Sequence, residues 1–85
     1  MNIELRFFAS VREAVGSSRE TLIVPAEVQT VGDVRVLLQQ RGGAWAEALA
    51  DNRALRMAFN QQMTGAETRI SEGGEVAFFP PVTGG

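Results

Sequence analysis

The chain is predicted to be a single α+β domain, a mixed β-sheet packed on one main helix with short extra helices. Three observations predict it. Residues 2–9 alternate apolar and polar, and residues 75–79 form an apolar run that stops at Pro80-Pro81, so strands open and close the chain. One stretch, from Thr30 to the Gly42-Gly43 pair, repeats its apolar residues at helical spacing over more than two turns. The order of elements is β β α β (β) β, and that helix buries its stripe only by lying across one face of a sheet.

In the opening segment Ile3, Leu5 and Phe7 fall on one side and Glu4, Arg6 and Phe8 on the other, the period of a half-buried strand. Ser10-Val11-Arg12-Glu13 matches a capping box, with Ser10 as cap and Glu13 reaching back, which predicts a short helix over 11–15 ended by Gly16. Thr21-Leu22-Ile23-Val24 is a β-branched run closed by Pro25; its tight connection to the first strand suggests an antiparallel pair. After a link over 25–29, Thr30 is a helix cap with Asp33 in the first turn. Val31, Val34, Leu37 and Leu38 then form the stripe of the main helix, which Gly42-Gly43 ends. Residues 44–50 read as a short helix with Trp45, Ala48 and Leu49 on one face. A third strand is expected over 56–60, Asn60 opens a turn, and 62–64 adds a short edge strand. Ile70 is an isolated apolar anchor, and Glu72-Gly73-Gly74 turns the chain into the last strand. Glu72 and Glu75 flank that turn and read as solvated.

Composition narrows the function. At 85 residues the chain is one domain burying roughly 60–65% of its unfolded surface. No apolar run approaches the roughly 20 residues of a membrane span, and Glu4 and Arg6 interrupt any leader-like start. Cytoplasm is therefore the expected location. The chain contains no His, Cys, Tyr or Lys, and all 8 basic residues are Arg. The commonest general base, metal ligand, strong nucleophile and Schiff-base amine are all missing, so the chain is not expected to be an enzyme on its own. A net charge of −2 without a basic cluster argues against nucleic acid. Gly73-Gly74 precedes a strand rather than a helix, so no phosphate-binding loop is present; neither a bound cofactor nor a metal is expected. Arg41-Gly42-Gly43 resembles a processed Gly-Gly ending, but cleavage there would discard half the sheet.

The division that follows is a folded domain over 1–79 and an extended C-terminal tail over 80–85. A terminal Gly-Gly alone is weak evidence, because chain ends commonly fray in small residues. Here the tail follows a core strand directly. Pro80-Pro81 favours a stiff, extended exit. Val82 and Thr83 are extended-chain formers, and Gly84-Gly85 has no side chain. Six such residues span at most about 20 Å and fit a narrow channel. Activation of the Gly85 carboxylate, most simply as an acyl-adenylate, leaves a carbonyl open to attack because glycine lacks a Cβ. Gly84 lets a partner's backbone approach closely.

Phe78-Phe79-Pro80-Pro81-Val82-Thr83-Gly84-Gly85 resembles the C-terminal signature of the small, sulfur-carrier subunits of molybdopterin synthases. The resemblance extends over the chain. Leu5 to Glu13 is similar to the family's first strand and helix. Ala58-Phe59-Asn60-Gln61 resembles its Ala-Val-Asn turn region, with Phe in place of Val, and Gly74 to Phe79 resembles its last strand, with Gly73-Gly74 where Gly-Asp is common. The resemblance implies a ubiquitin-like β-grasp fold with the first and last strands as parallel neighbours at the sheet centre. It implies that an E1-like adenylating enzyme activates Gly85 with ATP and that a sulfur donor protein converts it to a thiocarboxylate. The tail then enters the large catalytic subunit and gives its sulfur to cyclic pyranopterin monophosphate, two carriers being consumed per dithiolene. The implied assembly is a heterotetramer, with catalytic side chains on the large subunit. Carriers for thiamine or thiolation pathways share this chemistry with other acceptors. A ubiquitin-like modifier conjugated through Gly85, or a plain binding module, are further alternatives.

With the first and last strands parallel, Phe8 and Phe79 face outward together at the base of the tail. The partner interface is expected to be Phe79, Phe8 and Met63, with Arg6 and Arg56 as a charged rim. The tail residues Pro80, Pro81, Val82 and Thr83 are expected to fill the channel.

Overall fold

The structure, a computed structural model, describes residues 1–81. Five strands, β1 (Asn2–Phe7), β2 (Arg19–Ile23), β3 (Arg56–Phe59), β4 (Gln62–Thr64) and β5 (Glu75–Phe79), form one sheet in the order β2-β1-β5-β3-β4. Three helices, α1 (Ala9–Val15), α2 (Val31–Gln39) and α3 (Gly43–Ala48), complete it. β1 runs antiparallel to β2 and parallel to β5, with Leu5 beside Val76 and Phe7 beside Phe78; β5 runs antiparallel to β3. The first and last strands therefore meet at the sheet centre, as the ubiquitin-like β-grasp arrangement requires.

The core follows the strand parity. Ile3, Leu5 and Phe7 from β1 and Val76 and Phe78 from β5 are essentially solvent-free and pack with Val31, Val34 and Leu38 of α2. Phe7 lies near-parallel to Phe78 and edge-on to Trp45. Leu37, placed in the same stripe by its spacing, is only partly buried against this cluster. Ile70 is the expected anchor, and its loop is stitched to α2 by Ile70 N–H to Gln29 O (3.0 Å) and Val31 N–H to Thr68 O (2.9 Å).

Thr30 caps α2 as expected, and the cap is reciprocal. Asp33 N–H donates to Thr30 Oγ1 (3.1 Å), while the Asp33 carboxylate accepts from the Thr30 and Gln29 N–H groups. Gly16 ends α1 at φ +75° with its N–H on Arg12 O. At Gly74 the reason for glycine is steric: a Cβ there would lie 2.5 Å from the Phe59 ring.

Several expectations are corrected. Ser10 does not cap α1, and Glu13 does not close a box. The Phe8 N–H still bonds Phe78 O (3.3 Å) in the parallel ladder, and its own carbonyl already accepts from Val11 and Arg12. The helix is launched straight from the strand end through Ala9 at φ +50°, which places Ser10 inside the first turn. The first strand accordingly ends at Phe7 rather than residue 9. Gly42-Gly43 does not end α2, which stops at Gln39; Gly42 is the N-cap of α3, its carbonyl accepting from Trp45 and Ala46. α3 stops at Ala48 because side chains of α2 take over the next carbonyls: Arg35 and Gln39 donate to Leu49 O, and Arg35 also donates to Ala50 O. Glu72 is exposed as expected, whereas Glu75 is half-buried. Glu72 accepts from the Asn2 N–H, and Glu75 lies 3.6 Å from Arg6. Strand two is also shifted, to Arg19–Ile23, leaving Val24 as a buried core residue beyond its end.

Arg41 bonds both carboxylate oxygens of Glu20 and lies 4.4 Å over the Trp45 ring, tying β2 to the helical layer. The hydrogen bond from Arg41 holds the Glu20 carboxyl below its ordinary value and raises the Arg41 guanidinium. Backbone N–H groups at Gln29 and Thr30 likewise lower Asp33. A depressed folded-state pKa gives a contribution present above the unfolded value and lost as pH falls. Acid titration of stability is thus expected to decline as pH falls through the carboxylate range, and Glu20→Gln is expected to flatten that decline in urea-unfolding midpoints measured across it. Phe78→Ala is expected to cost about 3–5 kcal/mol, a large share of the roughly 5–15 kcal/mol of a typical domain. Thr30→Ala is expected to cost about 1 kcal/mol; both are read by urea denaturation.

Candidate functional site

The C-terminal end of β5 brings together the residues that the sequence places at the base of the tail. Because Phe7 pairs with Phe78, Phe8 comes beside Phe79, and their rings meet edge to face with centroids 6.2 Å apart. Both project from the face opposite α2. Phe8 is 39% exposed and Phe79 half-buried. Arg56 is the β3 partner of Phe79 and is exposed, so it borders the pair on the far side. Arg6 borders the near side, its guanidinium carbon 5.1 Å from the Phe8 ring centroid and a nitrogen 3.6 Å from Glu75.

Register also places Met63. Arg6 pairs with Ala77, Ala77 with Ala58, and Ala58 with Met63, so these four residues form one row across the outer face. Met63, on the edge strand, is 61% exposed. Met63 therefore shares the face with Phe8 and Phe79 but sits two strands from Phe79, at its border. The floor between them is made by Ala77 and Ala58, which are buried although they face outward, under the larger side chains around them. Sequence reasoning passed over these two alanines; their signal was the outward parity they share with Arg6.

Pro80 and Pro81 continue β5 and are half-buried. They form one wall of a cleft of about 290 Å³ on the helix side of the sheet end, whose other walls include Val11 and Ala14 of α1, Ala48 at the end of α3, and Arg53 and Leu55 of the following loop. Sequence reasoning missed this cleft, because it is assembled from four separated segments. Val82, Thr83, Gly84 and Gly85 lie outside the described residues. Among the described residues, the side chains at the tail root are aromatic, aliphatic or arginine, with the Ser10 hydroxyl in the cleft wall, an arrangement that offers a docking surface.

The ThiS family model matches residues 5–85. Over 83 residues the chain is 42% identical to the molybdopterin synthase sulfur carrier subunit of Escherichia coli (strain K12), covering 98% of this chain and 99% of that one. The fold is similar to the crystal structure of SAMP1 from Haloferax volcanii, a small archaeal modifier protein, with a TM-score of 0.76 and 26% identity over 100% of both chains. It is also similar, with a TM-score of 0.68 and 21% identity over 100% of both chains, to a chain in the complex of subunits 1 and 2 of the molybdopterin-converting factor from Helicobacter pylori 26695. The central parallel pair of strands, the Phe-Phe-Pro-Pro exit and the full-length match together show that the chain belongs to the ThiS family of ubiquitin-like β-grasp proteins.

Proposed function

We propose that this chain is a sulfur carrier of molybdenum cofactor biosynthesis, the small subunit of a molybdopterin synthase. The observation that carries the reading is the similarity to a sulfur carrier subunit over 98% of the chain, together with a family match that runs through Gly85. The geometry supports it. A central strand, held on both sides by the sheet, leads directly into Pro80-Pro81, with an aromatic pair and two arginines beside the exit.

In this reading an E1-like enzyme uses ATP to adenylate the Gly85 carboxylate, releasing pyrophosphate. A sulfur donor protein then delivers sulfur at the sulfide level, which attacks the acyl carbon, expels AMP and leaves a thiocarboxylate. The large subunit takes up the tail, with Val82 and Thr83 in the channel and Gly84-Gly85 at the pterin precursor. Phe79, Phe8, Met63, Arg6 and Arg56 dock against the large subunit, which supplies the catalytic side chains. The setting is the cytoplasm. No helix among the described residues is long and apolar enough to cross a membrane. The likeness to SAMP1 favours one second reading, a modifier joined through Gly85 to an amine on another protein. With no lysine of its own, such a modifier would form single conjugates rather than lysine-linked chains.

Intact-mass measurement on protein from sulfur-replete cells is expected to show one oxygen exchanged for sulfur at Gly85; high-mass conjugates in its place would favour the modifier. A one-residue extension after Gly85 is expected to abolish sulfur transfer in a reconstituted assay without changing the unfolding midpoint. Activity with the extra residue still attached would refute the carrier reading. Phe79→Ala is expected to weaken large-subunit binding about tenfold or more, measured by calorimetry, and to leave the domain folded.

A further inference from the structure

We infer that the cleft on the helix side of the tail root is a second docking site for the large subunit, taking an apolar side chain flanked by a carboxylate. The inference rests on the carrier reading and adds to it: the partner grips the root of the tail from both sides, not from the sheet face alone.

Three features of the cleft support this occupant. The first is continuity. Pro80 and Pro81 are a wall of the cleft and also the start of the segment that the large subunit must take up, so a protein closing around that segment meets the cleft. The second is size and lining. At about 290 Å³ the cleft lies just below the roughly 300–1,000 Å³ range of small-molecule sites, and it is open to solvent. Its floor is apolar, with Val11 2% and Ala48 8% exposed; Ser10 and Arg53 are its polar lining, and among the described residues no carboxylate, histidine or thiol lines it. That suits one inserted apolar side chain better than a polar metabolite. The third is charge. Arg53 is exposed at the rim and makes no ion pair among the described residues, while its backbone carbonyl is fixed by Arg35. A guanidinium on a loop held in this way is a ready partner for a carboxylate next to the inserted side chain.

The two surfaces lie on opposite sides of one short segment. Phe8, Phe79 and Arg56 meet the partner on the outer sheet face. Val11, Ala14 and Leu55 meet it on the helical side. Held from both sides, Pro80-Pro81 has its direction fixed.

The test is calorimetric binding of the full chain to the large subunit, using Ala14→Trp, which fills the cleft from an exposed helical position, and Arg53→Glu, which reverses the rim charge on the loop. Phe79→Ala and the wild type serve as references, and thermal unfolding checks the fold of each. Both cleft variants are expected to lose about tenfold or more in affinity. The Arg53→Glu loss is expected to shrink as salt is raised to about 1 M, where the screening length is only about 3 Å. Unchanged affinity in both cleft variants, with the Phe79→Ala loss intact, would overturn the second site and leave the carrier reading standing. Unchanged affinity in all three would count against the proposed docking as a whole. Slower adenylation by the activating enzyme with unchanged large-subunit affinity would assign the cleft to the other partner and overturn the inference as stated.

Discussion

The parallel pairing of β1 with β5 is the constraint on which the rest of the structure depends. It joins segments some seventy residues apart, Glu4 beside Glu75 and Phe7 beside Phe78, and places both at the centre of the sheet. Loop closure of that length costs entropy before any contact repays it. The repayment comes from Ile3, Leu5, Phe7, Val76 and Phe78, which are all fully or almost fully buried and share one face with α2. The same pairing orders the opposite face. A register shift of one residue would turn Phe8 and Phe79 inward and expose the core set, so the burial of one face fixes the surface displayed on the other.

Several polar contacts serve this arrangement by closing the ends of elements. Glu72 accepts from the Asn2 N–H and Gly73 N–H donates to Asn2 O, so the turn before β5 is tied to the start of β1. Arg35 and Gln39 donate to the carbonyls after α3 and hold the loop that carries Arg53 and Leu55 beside the tail root. Arg41 links Glu20 to Trp45 at the other edge. The chain thus uses arginine where carbonyls or carboxylates must be met by more than one donor, a role suited to the planar guanidinium. A domain with its last strand at the centre of the sheet is a suitable mount for the segment that follows that strand. Such a carrier needs no reactive side chains of its own, and its composition contains few.

Strand alternation was legible because one face is buried and the other is not. Leu5 against Arg6 and Phe78 against Phe79 carry that signal in the residues themselves. The Thr30 cap was legible for a similar reason: its partners lie within four residues. The cap at Ser10 was misread because a local pattern met a long-range constraint. Phe8 remains bonded to Phe78, and that bond decides where α1 begins. Gly42-Gly43 shows the same limit. A glycine pair marks a break, but whether it closes one helix or opens the next depends on which backbone groups find partners, and here Gly42 O accepts from Trp45 and Ala46.

The sequence by itself determined the two-faced strands, the main helix, the exit at Pro80-Pro81 and the lack of His, Cys, Tyr and Lys, because each is written in adjacent residues or in composition. Tertiary structure alone decided the edge-to-face contact of Phe8 with Phe79, the row from Arg6 through Ala77 and Ala58 to Met63, and the cleft built by α1, α3, the Arg53 loop and the tail root. The physical reason is common to all three. Periodicity tells which side of an element is buried, but only the pairing of distant segments tells which exposed side chains become neighbours.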